Sequence, residues 1–297
     1  MSQAVVEKQP QATILAASQV EAYLDMKLSG FDLPENLLEA VRYALLGGGK
    51  RLRPVLTILS CEAAGGPREA AFAPAAALEL IHAFSLVHDD LPAMDDDDMR
   101  RGRPTLHIHA GEAMAILAGD AMMSLAFELI ERSGLPESRM NALNAELARG
   151  TTAMIAGQVY DTLGGFPTDL PEREKLLLIH RNKTGALIRA ACRMGAIAAG
   201  ADARTLEMLS HYGEAVGLMF QIVDDVLDVT QSPEHTGKAT NKDASAGKRT
   251  FPSLLGMDQS LAEIERLRTD ANRTISPLGP TASDLIELCD YMAVRTR

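Results

Sequence analysis

Ala83-Phe84-Ser85-Leu86-Val87-His88-Asp89-Asp90-Leu91-Pro92-Ala93-Met94-Asp95-Asp96-Asp97-Asp98-Met99-Arg100-Arg101-Gly102-Arg103 is the stretch from which the rest of the chain is read. An apolar pattern of helical period begins near Ala75 and runs into Asp89 and Asp90. Pro92 disfavours helix at Leu91, so the two carboxylates fall in a last turn, where the helix dipole already presents its negative end. Asp95, Asp96, Asp97 and Asp98 follow. Nothing in helix stability asks for this crowd of negative charge. Such oxygen ligands are tolerated when a hard divalent cation lies among them. Mg²⁺ held by one or two carboxylates together with substrate phosphates is the common form. Arg100 and Arg101, directly after the acids, carry guanidinium forks matched to phosphate oxygens.

Around this stretch the composition is that of packed helices. The 297 residues are rich in Ala, Leu and Met, aromatics make up 4%, Trp is missing, and β-branched runs are scarce. A formal charge of −11 argues against nucleic acid or an anionic membrane surface as a general partner. Cations are concentrated in a few short motifs, where a small anionic ligand would go. Cys61, Cys192 and Cys289 lie far apart, in no metal-binding spacing, and read as reduced core thiols of a cytoplasmic protein. The first residues lack a charged start followed by a long apolar segment, and no uncharged run reaches the roughly 18 residues that cross a bilayer. Neither export nor stable membrane insertion is therefore expected. No linker or change of composition divides the chain, which suggests one domain over 1–297.

Taken in order, residues 11–28 carry apolar side chains at helical spacing. A second helix is expected with Pro34 near its first position and a stop at Gly47-Gly48-Gly49. Gly49-Lys50-Arg51-Leu52-Arg53-Pro54 then sets three cations beside open backbone N–H groups, which suits an anion. It is no P-loop, because Arg51 follows Lys50 and no strand precedes it. A glycine helix stop followed by solvated basic residues explains the motif equally well. Helical patterns continue over 53–64 and from residue 70 into the acidic run. His82, seven residues before Asp89, shares its face two turns earlier and reads as a ligand contact. Residues 105–111 look like a short connection, and 111–133 like a strongly apolar helix that includes Asp120. Another helix over 141–160 ends in Gly157-Gln158-Val159-Tyr160-Asp161, where Gln158 and Asp161 suit either core hydrogen bonding or support behind metal ligands. Residues 171–200 read as a helix pair or one interrupted helix. Lys183 and Thr184 break its alanine and leucine face, and a buried lysine near an anion and a solvated lysine both fit.

A second acidic cluster, Phe220-Gln221-Ile222-Val223-Asp224-Asp225-Val226-Leu227-Asp228-Val229, lies inside a helical pattern over 204–230. Asp224 and Asp228 stack on one face with Asp225 beside them, and like charges at that spacing repel. A solvated acidic stripe is the alternative, but Ile222, Val223, Val226 and Leu227 leave little room for a polar face. Residues 237–250 are small, polar and basic, the composition of a loop that closes over phosphates or of a plain connector. If the two acid-bearing helices face each other across a bundle, their carboxylates hold several Mg²⁺ ions above an apolar interior. A diphosphate head with a hydrocarbon tail suits that arrangement.

Asp89-Asp90-x-x-x-x-Asp95 with Arg100-Arg101-Gly102, together with Asp224-Asp225-x-x-Asp228, resemble the two aspartate-rich motifs of the trans-isoprenyl diphosphate synthases. Gly49-Lys50-Arg51-Leu52-Arg53-Pro54, Lys183-Thr184-Gly185 and Gly247-Lys248-x-Thr250-x-Pro252 fit the same family in order. The resemblance covers nearly the whole chain. It is nearest to the bacterial farnesyl diphosphate synthases (geranyltranstransferases), whose first motif also carries the insertion containing Pro92.

This resemblance implies an all-α, single-domain bundle of about ten or more helices around a central active-site cavity, the isoprenoid synthase type. The implied activity is condensation of isopentenyl diphosphate with dimethylallyl and geranyl diphosphate to give (E,E)-farnesyl diphosphate. Asp89 and Asp95 would hold two Mg²⁺ ions and Asp224 a third, with Mn²⁺ as the alternative and Asp90, Asp225 and Asp228 in support. Arg100, Lys183 and Lys238 would contact the allylic diphosphate, with Lys248 of the same loop as Lys238 also binding substrate. Lys50, Arg53, His82 and Arg101 would hold isopentenyl diphosphate. Oxygens near Lys183, Thr184 and Gln221 would stabilise the allylic cation, and the released diphosphate would take the proton. Phe84, followed by the small Ser85, would stop the product at fifteen carbons. A homodimer built through helices is implied as well. The 238–248 loop keeps Lys238, Asp243 and Lys248 but departs from the family pattern between them. A terpene cyclase would not need the Lys50 to Arg53 motif. A His-Asp phosphohydrolase would need a well-separated upstream ligand where only His82 precedes His88, and a non-catalytic partner subunit would lack one aspartate motif.

Overall fold

Eighteen residues of helical spacing after Pro10 become α1 (Gln11–Leu28) in the computed structural model, which describes residues 9–230 and 250–295. There follow α2 (Glu35–Leu45), α3 (Leu52–Ala63), a 3-10 turn (Arg68–Ala71) and α4 (Phe72–Asp89). Beyond the acidic run come a two-stranded hairpin, β1 (Met99–Arg100) and β2 (Arg103–Pro104), then α5 (Leu106–Ala110), α6 (Glu112–Glu131) and α7 (Glu137–Thr162). The chain continues through α8 (Glu172–His180), a π-turn (Arg181–Gly185), α9 (Ala186–Ala199) and α10 (Ala203–Thr230). After the segment outside the described residues lie α11 (Phe251–Leu255), α12 (Met257–Ile275) and α13 (Ser283–Val294).

α4 is the central rod. Ala75, Ala76, Ala77, Leu78, Leu80 and Ile81 are all 0% exposed, so the helix is buried on every side and needs no amphipathic stripe. Small alanines let α3, α6 and α9 close on it, and α9 and α12 in turn flank α10. The 3-10 turn with α4, and α6, are both long and apolar enough to span a bilayer by length and composition. For α4 the cause is burial in the core. α6 instead presents Ile116, Leu117 and Met123 outward.

The expected helices are present with several differences. Pro34 lies as expected at the start of α2, as the cap immediately before Glu35, with φ −52° and ψ 138°. The connection expected at 105–111 contains α5, and the hairpin before it interrupts the expected all-helical course. α7 extends beyond the expected 141–160 in both directions. Residues 171–200 form the interrupted form of the helix, broken by the π-turn at Lys183 and Thr184. Cys61, Cys192 and Cys289 are free and buried, and burial pushes each thiol up to about 12.

Candidate active site

Asp89 is the last residue of α4 and Asp90 its cap. The chain then folds back: the Asp95 N–H donates to the Asp89 carbonyl at 2.8 Å, and Asp96 turns with φ 51°. Burial, reinforced by Asp95 and Asp90, pushes the Asp89 carboxyl up to about 6, while Lys183 and Arg100 oppose the shift. Asp89 thus feels its own acidic loop and a lysine from the π-turn. Asp224 is also pushed up, again chiefly by burial, against the pull of Arg295 and Lys50. Arg53 feels Glu79 on α4 and Asp224 on α10, so it bridges the two acid-bearing helices electrostatically.

Among the described residues no three carboxylate, imidazole or thiol groups converge as a ready cation cage. The donors on offer are hard carboxylate oxygens that burial and neighbouring acids hold in an unfavourable charged state. A Mg²⁺ ion completed by substrate oxygens fits that donor set.

The cationic side of the cleft is built from the glycine turn after α2 and the hairpin. The Arg100 guanidinium donates to both oxygens of Asp90, at 2.6 and 2.8 Å to one and 3.0 Å to the other. Asp90 is 3% exposed, so its charge is spent on orienting Arg100. Arg101 donates to the Gly48 carbonyl, and at Gly49 a Cβ would stand 2.7 Å from the Arg101 guanidinium carbon. Gly49 also takes φ 138°, a backbone conformation that favours glycine. His82 lies under this roof, and burial, then Arg53, Arg101, Arg100 and Arg51, hold its imidazole well below the usual range. Burial lowers Arg53 to about 10, and its Nε is buried without a hydrogen-bond partner. An unpaired buried donor beside a neutral imidazole and further guanidinium groups is arranged for an anion.

The three cations of the glycine motif have different fates. Lys50 is exposed on the cleft side, whereas Arg51 is 3% exposed and turns inward. Arg51 takes a left-handed φ of 50° as the cap of α3 and pairs with Glu79 at 2.7 Å and Glu21 at 2.8 Å, donating also to the Leu45 carbonyl at 2.7 Å. It forms a structural ion pair, which leaves Lys50 and Arg53 as the cations of the motif open to an anion.

On the opposite wall, Lys183 Nζ donates to Asp161 at 2.6 Å. The π-turn that aims Lys183 lies against Gly157 of α7, where a Cβ would come within 2.1 Å of the Lys183 backbone nitrogen. Thr184 is half-buried in the same turn, and Gln221 is half-buried on α10 three residues before Asp224. Asp225 is buried and turned elsewhere: it accepts the Phe251 N–H at 2.8 Å and lies 3.4 Å from His180 Nε2. It ties α10 to the start of α11, so its place in the motif is structural. Asp228 is half-buried one turn beyond Asp224. Phe84 is 7% exposed and meets the His88 ring edge-on at 5.7 Å, while the Ser85 hydroxyl donates to the His82 carbonyl of its own helix. Lys238 and Lys248 lie outside the described residues.

One residue at the site escaped sequence reasoning. Arg295 stacks on Phe220 at 4.1 Å and donates to Asp224 at 2.5 Å, with its side chain 3% exposed. In sequence it is only one cation of a basic tip, and no local pattern distinguishes it.

The polyprenyl synthetase family model matches residues 34–275. The chain is 45% identical over 290 residues to geranylgeranyl pyrophosphate synthase 9, chloroplastic, of Arabidopsis thaliana, which covers 95% of this chain and 80% of the relative. Among solved structures it superposes on a geranyltransferase from Legionella pneumophila with a TM-score of 0.83 at 34% identity, covering 95% of this chain and 96% of the other. An apo FPP/GFPP synthase from Zymomonas mobilis gives a TM-score of 0.82 at 34% identity, covering 96% and 100%. The helical architecture is thus the isoprenoid synthase type. The chain belongs to the polyprenyl synthetase family of trans-prenyltransferases.

Proposed function

We propose that this chain condenses isopentenyl diphosphate with dimethylallyl and then geranyl diphosphate and releases (E,E)-farnesyl diphosphate. The observation that carries the product length is Phe84, buried on α4 five residues before Asp89 and braced edge-on by His88. A bulky ring at that depth closes the apolar space beneath the diphosphate.

The chemistry follows from the side chains. Mg²⁺ bound at Asp89, Asp95 and Asp224 would supply the Lewis acidity that lets the allylic diphosphate leave. Lys183 and Arg100 hold that diphosphate, oriented by Asp161 and Asp90 respectively. Lys50, Arg53, Arg101 and the neutral His82 grip the diphosphate of isopentenyl diphosphate. The Thr184 hydroxyl and the Gln221 amide oxygen stabilise positive charge on the allylic carbon, and the double bond of isopentenyl diphosphate attacks it. The departing diphosphate takes the proton, so no protein base is needed. Lys238 would contact the allylic diphosphate, and Lys248 would bind substrate as well.

A second reading, release of the twenty-carbon product, is favoured by the name of the Arabidopsis relative. Incubation with labelled isopentenyl diphosphate, geranyl diphosphate and MgCl₂, followed by chain-length analysis of the dephosphorylated products, decides between them. A fifteen-carbon alcohol as the main product supports the proposal, a twenty-carbon one overturns it, and no transfer sinks both. The outward apolar residues of α6 and α7, among them Leu117, Met123, Ile155 and Val159, support a homodimer. Sedimentation of the purified chain as a monomer at micromolar concentration would overturn that part. Three buried free thiols support a reducing, cytoplasmic setting.

A further inference from the structure

The hairpin that carries the anion-gripping arginines is only two residues per strand, with Arg101 and Gly102 at its turn at φ 53° and 73°. Positive φ at both positions marks a type I′ turn, well matched to strand twist. A two-stranded ribbon this short does not hold its shape alone in water. Something must fix it to the body of the protein, because Arg101 has to meet its anion together with Arg53 and His82, which stand on α3 and α4.

Tyr43 supplies that fixture. Its hydroxyl donates to the Pro104 carbonyl at 2.8 Å, at the strand end paired with Met99. The Arg103 guanidinium carbon lies 4.2 Å from the ring centroid, and the His109 ring of α5 is stacked at 3.9 Å with an interplanar angle of 6°. Tyr43 thus touches the hairpin through its oxygen and through its ring. It lies in the last turn of α2, immediately before the glycine turn whose Gly48 carbonyl accepts from Arg101. One helix end therefore sets the position of both the glycine turn and the arginine hairpin. Tyr43 also lines the cleft that holds His82 and Arg101, and separates it from an open groove on its far side lined by Glu39, Arg42 and His109.

We propose that Tyr43 is a positioning residue for the isopentenyl diphosphate site, acting through Arg101 by locking the hairpin onto the glycine turn. This rests on the prenyl-transfer reading. Arg100, on the same hairpin but serving the allylic diphosphate, keeps its own anchor in the buried Asp90 carboxylate at the end of α4. Lys183, Asp89 and Asp224 lie on other elements, so a hairpin loosened at Tyr43 penalises isopentenyl diphosphate more than the allylic substrate.

Tyr43→Phe keeps the ring and removes the bond to Pro104, and Tyr43→Leu removes both. The expected result is a KM for isopentenyl diphosphate raised about fivefold in the Phe variant, the weight of one ordinary hydrogen bond. In the Leu variant it rises further, by about the additional factor of five that loss of a cation–π contact brings. The KM for geranyl diphosphate and kcat stay close to wild type. Calorimetric titration with isopentenyl diphosphate alone should show the same ranking, and amide exchange across residues 100–104 should quicken in both variants. A wild-type chain that transfers prenyl groups, with variants whose KM for isopentenyl diphosphate is unchanged, overturns the inference. So does an equal rise in both KM values, which marks general loss of structure. A wild-type chain that transfers nothing overturns the function itself and the inference with it.

Discussion

Phe84→Ala tests the floor of the apolar space. At 1.5 Å per residue, the Phe84 Cα lies about 7.5 Å along α4 from Asp89. Its ring is 7% exposed and rests against His88, whose Nε2 in turn lies 3.2 Å from the Ile116 carbonyl of α6. Gly119 leaves the room for that imidazole, since a Cβ there would come within 2.1 Å of His88 Nε2. Phe84 and His88 thus brace one another, and Phe84→Ala removes the ring from the proposed floor. One more isoprenyl unit adds five carbons, and burying them is worth about 4 kcal/mol at ~0.8 kcal/mol per CH₂. Under the proposed reading that gain is denied while the ring is present, and it corresponds to a factor of about 10²–10³ in favour of a further elongation step. The structural cost of Phe→Ala in a core is about 3–5 kcal/mol, at the lower end here because the void opens towards the substrate space. The assay is the product chain-length profile from geranyl diphosphate and labelled isopentenyl diphosphate at matched conversion. Twenty-carbon or longer products should dominate. A variant that turns over at the wild-type rate and still yields only the fifteen-carbon product would refute the reasoning.

Glu79→Ala removes the buried partner of Arg51, whose side chain is 1% exposed. Stranding that guanidinium should cost about 3–5 kcal/mol in chemical denaturation, and an unchanged midpoint would show that Glu21 alone suffices. Asp225→Ala leaves the Phe251 N–H without its acceptor and should lower stability by about 1–3 kcal/mol, read by urea titration. Burial raises the folded pKa of Asp89 to about 6, above its ordinary 3.8, so the folded state takes up the proton first. Its charged form therefore destabilises the fold fully above pH 6, and the penalty fades as pH falls towards 4. Without divalent cation, Asp89→Asn should raise the melting temperature at pH 8, and the gain should shrink on acidification. Equal melting of both proteins at pH 8 would contradict this. Chelation of divalent cations should abolish turnover of the wild-type chain.

Sequence by itself determined those features that rest on local physics. Helical spacing delimited α1 at 11–28, and the three glycines stopped α2 before residue 47 because nothing with a free backbone continues a helix cheaply. The two aspartate clusters stood out because like charges on apolar helices are unstable without a counter-ion. Which of those charges face the cleft was decided only by packing. Arg51 and Arg53 are neighbours in one motif, yet Arg51 pairs with Glu79, 28 residues away, and Arg53 keeps a buried donor unpaired. Asp224 and Asp225 are adjacent, yet one meets Arg295 from 71 residues away and the other accepts the first N–H of α11. Lys183 finds Asp161 because a glycine on α7 lets the π-turn come close. A helix places consecutive side chains about 100° apart, so neighbours in a motif look at different partners, and the identity of those partners is a property of the assembled bundle.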